Sequence, residues 1–263
     1  MKSIRQQVLQ RHPVCGTWIV LGSSVAAEIT GNAGFDWVLL DMEHGMAGTG
    51  SLLHQLMVLE STPAAPIVRV AANDPVLIKR SLDLGPAGLM IPQVNTAEEA
   101  KQAVAAMKYP PLGARGISPY TRPAGFGPDF QTYFENANDD LLCVVQIETQ
   151  RGVDNVEAIA SVPGVDVLFV GPFDLSVGLG VMGEFDHPTF RGAVAHIAES
   201  ARLANKVAGI LTLDSDGIQK ALQDGFSFIA IGGDAGVLTS GMRNLVNDFN
   251  GQLESSGVNE VKV

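Results

Sequence analysis

Three ionisable side chains, Asp41, Glu43 and His44, follow directly on the apolar run Trp37-Val38-Leu39-Leu40. The run reads as a buried strand, and buried strands rarely end in that much charge unless the end lines a polar site. Four later runs also end in chemically capable residues: Val68-Arg69, Pro92-Gln93, Gln146-Ile147-Glu148 and Phe173-Asp174. Glu148 and Asp174, with no cysteine or clustered histidine beside them, suit a hard octahedral cation whose other positions go to substrate and water. The competing reading pairs Glu148 with Arg151 and makes Asp174 a cap for the turn before Leu175-Ser176. Arg69 suits a carboxylate or an oxyanion developing in a transition state, or else a structural ion pair with Asp41 or Glu43. His44 is the only histidine at a strand end, since His12, His54, His187 and His196 fall in helix-like or loop contexts. With Asp41 three residues before it, His44 could be a carboxylate-oriented general base. Asp83, late in a helix, could also approach it.

The elements that must position these residues alternate. Short, nearly continuous apolar runs at 16–21, 36–41, 66–70, 88–92, 141–148, 165–171, 207–213 and 226–232 read as strands covered on both faces. Helical patterns fall between them at 24–33, 49–60, 74–84, 96–107, 152–161, 188–205, 215–223 and 236–254. Asn73-Asp74-Pro75 supplies a cap and a first-turn proline, and Thr96-Ala97-Glu98-Glu99 a capping box. Eight strands, each followed by a helix, predict a single (β/α)8 barrel over 1–263, with a doubly wound sheet as the competing fold. In a barrel the strand C-termini converge, which gathers His44, Arg69, Gln93, Gln146, Glu148 and Asp174 around one pocket.

Residues 108–135 form a long connection that holds Arg115 and Arg122 among prolines, glycines and aromatics. It reads as a lid or an interface loop, against the plainer reading of a solvated excursion. The run Gly178-Leu179-Gly180-Val181-Met182-Gly183 matches G-x-G-x-x-G only weakly, because it does not open a helix directly after a strand. Gly232-Gly233-Asp234-Ala235-Gly236 reads as an anion-binding nest or a tight turn.

Composition narrows the function classes. Of 263 residues 46% are hydrophobic, enough for one large core, and the net charge of −11 with no Lys/Arg cluster argues against nucleic acid and anionic membranes. No apolar stretch reaches membrane-spanning length and the first twelve residues lack a secretory core. Cys15 and Cys143 read as two buried free thiols, so a cytoplasmic location is expected.

Several stretches together carry a family resemblance: residues 34–45 ending in Asp41-Met42-Glu43-His44-Gly45, then Val68-Arg69-Val70, Leu82–Gln93, Pro110–Gly116, Val145–Thr149 and Val170–Ser176. In this order they resemble the HpcH/HpaI family of metal-dependent pyruvate aldolases. The resemblance implies a (β/α)8 barrel and reversible aldol cleavage of a 4-hydroxy-2-oxo acid to pyruvate and an aldehyde through a metal-stabilised enolate. It implies that Glu148 and Asp174 hold Mg²⁺, Mn²⁺ or Co²⁺. It makes His44 the acid/base group with Asp41 and Asp83 tuning it, and Arg69 the stabiliser of the enolate. Gln146 and the backbone at Phe173 and Asp174 would bind the pyruvyl end. It also implies a homo-oligomer, commonly a hexamer, with C-terminal helices packed across subunits. The apolar stripe Val237, Leu238, Met242, Leu245, Val246, Phe249 and Leu253 would then cover the barrel or a neighbour. No lysine ends a strand, which argues against a Schiff base. The alternatives are another metal-enolate enzyme (a 2-oxo acid decarboxylase, or a condensing enzyme like macrophomate synthase) and a non-catalytic metabolite-binding or assembly protein.

Overall fold

In the computed structural model, which describes residues 2–256, eight parallel strands close into a barrel in chain order. They are β1 (Val14–Ile19), β2 (Trp37–Asp41), β3 (Ala65–Arg69), β4 (Gly88–Ile91), β5 (Leu142–Ile147), β6 (Val167–Val170), β7 (Val207–Thr212) and β8 (Phe228–Gly233). All eight lie where the apolar runs place them. The helices are α1 (Arg5–Leu9), α2 (Ser24–Gly31), α3 (Thr49–Leu59), α4 (Pro75–Leu82), α5 (Ala97–Met107), α6 (Phe130–Asp140), α7 (Gln150–Asp154), α8 (Val156–Ala160), α9 (Pro172–Gly178), α10 (Pro188–Leu203), α11 (Ser215–Gln223) and α12 (Asp234–Ser256). Met1 and residues 257–263, the ends of the expected 1–263 domain, lie outside the described residues.

The strand pleat divides the core in two. Trp37 and Leu39 of β2, Ala65 and Ile67 of β3, Leu142 and Val144 of β5, and Val167 and Phe169 of β6 fill the barrel interior. Val38, Leu40, Val68, Val145 and Leu168, one residue out of step, pack under the helices. The interior is aromatic: Trp37 stacks on Phe228 with centroids 4.1 Å apart, and Phe169 meets Phe228 edge-on at 6.2 Å. Gly16 makes room for them, because a Cβ there would lie 2.1 Å from the Trp37 ring. Continuing each interior face by one more pleat gives Asp41, Arg69, Gln146 and Gly171. The alternation that buries the core therefore also delivers the polar set to the C-terminal mouth.

The 108–135 connection differs from expectation in structure and in place. Phe130–Asp140 is helical and Arg122–Ala124 forms one 3₁₀ turn, so the irregular part ends at residue 129. It leaves the C-terminal end of α5 and enters β5, which puts it on the N-terminal face of the barrel, away from the mouth. There it wraps the ends of α3 and α4. The Arg122 N–H donates to Asp83 O, and its guanidinium donates to Leu84 O at 2.9 Å and to Glu60 at 2.5 Å. Its chain's own mouth is therefore not the place it could close over, and the lid reading is corrected. Arg115 does not face a pocket or a neighbour either. Its side chain is fully buried, donates to the Tyr133 hydroxyl at 2.9 Å and to Asp83 at 3.0 Å, and lies 4.5 Å over the Tyr109 ring.

The last helix does not cover its own barrel. No residue of α12 is buried, and Val237, Met242, Leu245, Val246 and Phe249 are all exposed. Beside β1 and β8 this leaves an apolar groove of about 720 Å³, lined by Val25, Ile29, Phe35, Leu213 and Ile231 among others. Among the described residues no helix is long and apolar enough to cross a membrane. Both cysteines are free; Cys143 is buried, with burial pushing its thiol up to about 12, whereas Cys15 is only half-buried.

Candidate active site

Register explains the first contact of the site. Asp41 and Arg69 stand opposite each other on β2 and β3, both inward-facing and both buried. Arg69 donates through Nε to Asp41 Oδ1 at 2.9 Å and through Nη2 to Oδ2 at 2.6 Å. This is the bidentate fork that holds a guanidinium in one orientation. Nη1 lies 3.0 Å from Glu43 Oε2, an ion-pair distance without hydrogen-bond geometry. Trp18 of β1 lies beneath, its ring centre 5.7 Å from the guanidinium carbon. Burial opposes the Arg69 charge, but Asp41, Glu43 and Glu148 outweigh it and raise the pKa. Glu43 is pushed up from the ordinary range by burial, which exceeds the opposing pull of Arg69 and His44.

Asp41 also shapes the turn that carries His44. Its Oδ1 accepts the backbone N–H groups of Glu43 at 3.0 Å and His44 at 3.3 Å. A Cβ at Gly45 would lie 2.1 Å from Asp41 O, so the return of the chain needs glycine there. His44 is exposed at the mouth. The link from Asp41 runs to the His44 backbone, and among the described residues no hydrogen bond joins the imidazole to Asp41 or Asp83. Asp83 caps the C-terminus of α4, toward the N-terminal face, where Arg115 holds its Oδ1. The expected approach of Asp83 to His44 is therefore not made within one chain: α4 runs away from the mouth that displays the histidine.

The carboxylate pair lies across the mouth. Glu148, just past β5, is buried; Oε1 accepts the Gln93 N–H at 2.8 Å and Oε2 the Gln146 Nε2 at 3.0 Å. Neither oxygen meets Arg151, so the alternative pairing is not formed. Gln93 takes φ +52°, and this left-handed backbone belongs to the residue whose N–H meets the carboxylate. Opposite, a Cβ on Gly171 would lie 2.4 Å from Glu148 Oε2, so the carboxylate fills the space a side chain would take. Burial, countered by the Gln93 hydrogen bond and reinforced by Asp174 and Glu43, pushes Glu148 up to about 7. Asp174 lies exposed in the first turn of α9, and no hydrogen bond or ion pair engages it among the described residues. It is not the cap: the N-cap is Gly171, and α9 replaces the loop expected there. The N–H groups of Phe173 and Asp174 are first-turn donors without intrahelical acceptors.

This donor set fits a hard divalent cation. It consists of two carboxylates, and the buried Gln146 Oε1 beside Glu148 is an acceptor with no partner. Oxygen-rich sites of this kind leave positions for substrate. The glycine-rich turn at 232–236 is not an anion nest, because the Asp234 carboxylate itself takes the Val20 N–H at 2.9 Å and the Ala235 N–H at 2.8 Å. Glycines 180 and 183 have positive φ in a loop after α9. The signal that pointed to Gly171 was missed in the sequence: two residues past Phe169, it continues the inward face of β6.

A parallel eight-stranded barrel with a buried arginine and an acidic oxygen-donor pair at its C-terminal mouth is the framework of a barrel enzyme whose chemistry sits at the strand ends. Residues 15–240 match the model of the HpcH/HpaI aldolase/citrate lyase family, and the chain belongs to that family. It is similar to 5-keto-4-deoxy-D-glucarate aldolase of Klebsiella pneumoniae subsp. pneumoniae, 44% identical over 89% of this chain and 91% of that protein. Among solved structures it resembles an HpcH/HpaI aldolase/citrate lyase family protein from Burkholderia cenocepacia J2315, with a TM-score of 0.90 and 35% identity, covering 94% of this chain and 98% of that one. It also resembles the HpcH/HpaI aldolase from Desulfitobacterium hafniense DCB-2, with a TM-score of 0.89 and 27% identity over 95% and 97% of the two chains. The chain is a lyase of the aldolase type that acts on a small-molecule 2-oxo acid, in a family generally dependent on a divalent metal.

Proposed function

We propose that the chain cleaves a 4-hydroxy-2-oxo acid to pyruvate and an aldehyde, with Mg²⁺, Mn²⁺ or Co²⁺ held by Glu148 and Asp174. The observation that carries this reading is the aimed carboxylate of Glu148 beside the unengaged Asp174, with the buried Arg69 in the same mouth. The bound ion supplies Lewis-acid polarisation of the 2-oxo acid. Arg69, its fork fixed on Asp41, keeps further N–H donors for the negative charge that develops as the carbon–carbon bond breaks. Because Asp41 already orients it, little reorganisation is needed at that moment. His44, displayed on the turn built by Asp41 and Gly45, takes the proton of the substrate hydroxyl in cleavage and returns it in condensation. Gln146 orients Glu148, and the first-turn N–H groups of Phe173 and Asp174 suit the pyruvyl carboxylate.

The curated relatives name a substrate class. A 5-keto-4-deoxy-D-glucarate carries a methylene between its ketone and a carbinol. Breaking the bond between that methylene and that carbinol yields pyruvate and a three-carbon hydroxy-aldehyde acid. This class of polyhydroxylated 2-oxo diacid comes first in a pyruvate-release screen across 4-hydroxy-2-oxo acids, with and without Mg²⁺, Mn²⁺ and Co²⁺. Release of pyruvate that depends on the ion supports the reading. No turnover of any 2-oxo acid with any ion would contradict it. Decarboxylation of oxaloacetate without any aldol cleavage would instead favour the other metal-enolate enzymes.

A homo-oligomer, a hexamer on the family resemblance, completes the reading. Its support is the exposed apolar stripe of α12 together with the apolar groove beside β1 and β8. Any role of Asp83 toward a histidine then concerns the His44 of another copy. A cytoplasmic location accords with the two free thiols.

A further inference from the structure

Asn95 stands at the rim of the mouth, between the end of β4 and the start of α5, and every polar atom it owns is engaged. Its Nδ2 donates to Gln93 O at 2.7 Å, and its Oδ1 accepts from the Thr149 hydroxyl. Its backbone N–H donates to Glu99 Oε2 at 2.6 Å, and its carbonyl accepts from Asn155 Nδ2 at 3.0 Å. The two side-chain contacts fall on the two residues that flank Glu148. Gln93 is the residue whose N–H holds Glu148 Oε1, and it does so from a left-handed backbone that a non-glycine residue adopts only when its surroundings impose it. Thr149 follows Glu148 directly and caps α7 through Gly152 N–H at 3.0 Å. One side-chain amide thus ties the strand end that donates to Glu148 to the helix start that carries it.

We propose that Asn95 is a positioning residue for metal binding: it fixes the Gln93 carbonyl and Thr149 together, and so helps to fix the Glu148 carboxylate in the orientation that receives the ion. The proposal rests on the reading of Glu148 as a ligand. The physical reason is geometric. A carboxylate on a flexible side chain binds an ion well only if its oxygens are held before the ion arrives, and the outer groups that hold it contribute ten- to hundredfold in affinity. Without the Asn95 amide, the Gln93 carbonyl loses its side-chain donor and the peptide after Gln93 is held only by the Val94 N–H to Gln146 O at 3.2 Å, so less opposes rotation of Gln93 away from φ +52°, which would turn its N–H from Oε1. The Thr149 hydroxyl would retain the Gly152 N–H as a partner, so α7 keeps its cap and the barrel keeps its fold.

The test measures Mn²⁺ affinity of the EDTA-treated, full-length protein by isothermal titration, with thermal melting in the absence of metal as the companion readout. Glu148→Gln is run first and should abolish or strongly weaken Mn²⁺ binding; if it binds like wild type, the ligand assignment itself fails, whatever Asn95 does. With that control in place, Asn95→Ala should weaken Mn²⁺ binding about ten- to hundredfold while the melting temperature in EDTA changes little. Thr149→Val, which removes the Thr149 contact and the α7 cap with it, should weaken it in the same direction and also lower the melting temperature in EDTA. The Asn95→Ala/Thr149→Val double variant should bind more tightly than the product of the two single losses implies, because the two changes share the Asn95–Thr149 contact. Thr149→Val keeps the test informative if Asn95→Ala does not fold. Wild-type Mn²⁺ affinity in every folded variant of this pair, with Glu148→Gln impaired, would overturn the proposal.

Discussion

Each residue at the mouth carries a separable task. Burial raises Glu148 to about 7, above the ~4.3 of an unfolded glutamate, so the folded chain holds its proton more tightly. The stabilising contribution of that proton is complete below the unfolded value and is lost as pH rises through about 7. An ion needs the carboxylate, so Mn²⁺ should bind the EDTA-treated protein more tightly as pH rises from about 6 to about 8. The extra thermal stability given by a fixed Mn²⁺ concentration should grow over the same interval. A melting shift that is flat across it would count against Glu148 as ligand. Gly171→Ala should also weaken Mn²⁺ binding, because its Cβ would meet Glu148 Oε2 at 2.4 Å and push the carboxylate aside. Titration of that variant with wild-type affinity would show that the carboxylate has room to spare. Arg69→Lys keeps the charge but loses the fork on Asp41, so turnover should fall well below wild type even at saturating metal. Recovery of full turnover in the lysine variant would show that charge alone suffices.

At the scale of elements, the strands were legible because barrel strands are continuously apolar and punctuated by their polar ends. Arg69, Glu148 and His44 were legible for the same reason: each breaks an apolar run where a buried strand stops. Three helices were not: α1, of five residues, is too short to show a helical period, and α6 and α9 were missed as well. Helix α9 has only seven residues, too few for a helical period, and α6 is rich in Asn, Asp and Thr, which suit turns as well as helices. The tie through Asn95 was invisible because it joins residues 54 apart in the chain by side-chain geometry. The long connection was read for its arginines and prolines, when its position between a helix and the next strand already puts it on the N-terminal face. Its arginines hold it to that face. Arg115→Ala would leave Asp83 and the Tyr133 hydroxyl without their donor and remove a buried ring contact. It should cost ~2–4 kcal/mol, toward the lower end because the Asp83 side chain is 29% exposed. Chemical denaturation measures this directly. Wild-type stability in Arg115→Ala would return the segment to a solvated excursion.

At the scale of the whole molecule, a helix with an exposed apolar stripe and no buried residue, together with an apolar groove beside β1 and β8, does not suit a lone chain in water. Light scattering at micromolar concentration should give a mass several times that of one chain, and Leu245→Asp, which charges the middle of the α12 stripe, should lower it. A strictly monomeric wild type would refute the assembly without touching the site. Chemistry in the mouth is read by exchange of the methyl protons of pyruvate with deuterated water, followed by proton NMR with Mg²⁺. Exchange needs the enolate but no aldehyde, so it isolates the proposed metal carboxylates and Arg69 from acceptor specificity. Exchange should occur in the wild type, stop on chelation and fall by ~10²–10³ in Arg69→Ala, the loss expected of an oxyanion donor. Exchange that persists undiminished after chelation, or in Arg69→Ala, would contradict the proposed metal-dependent enolate chemistry.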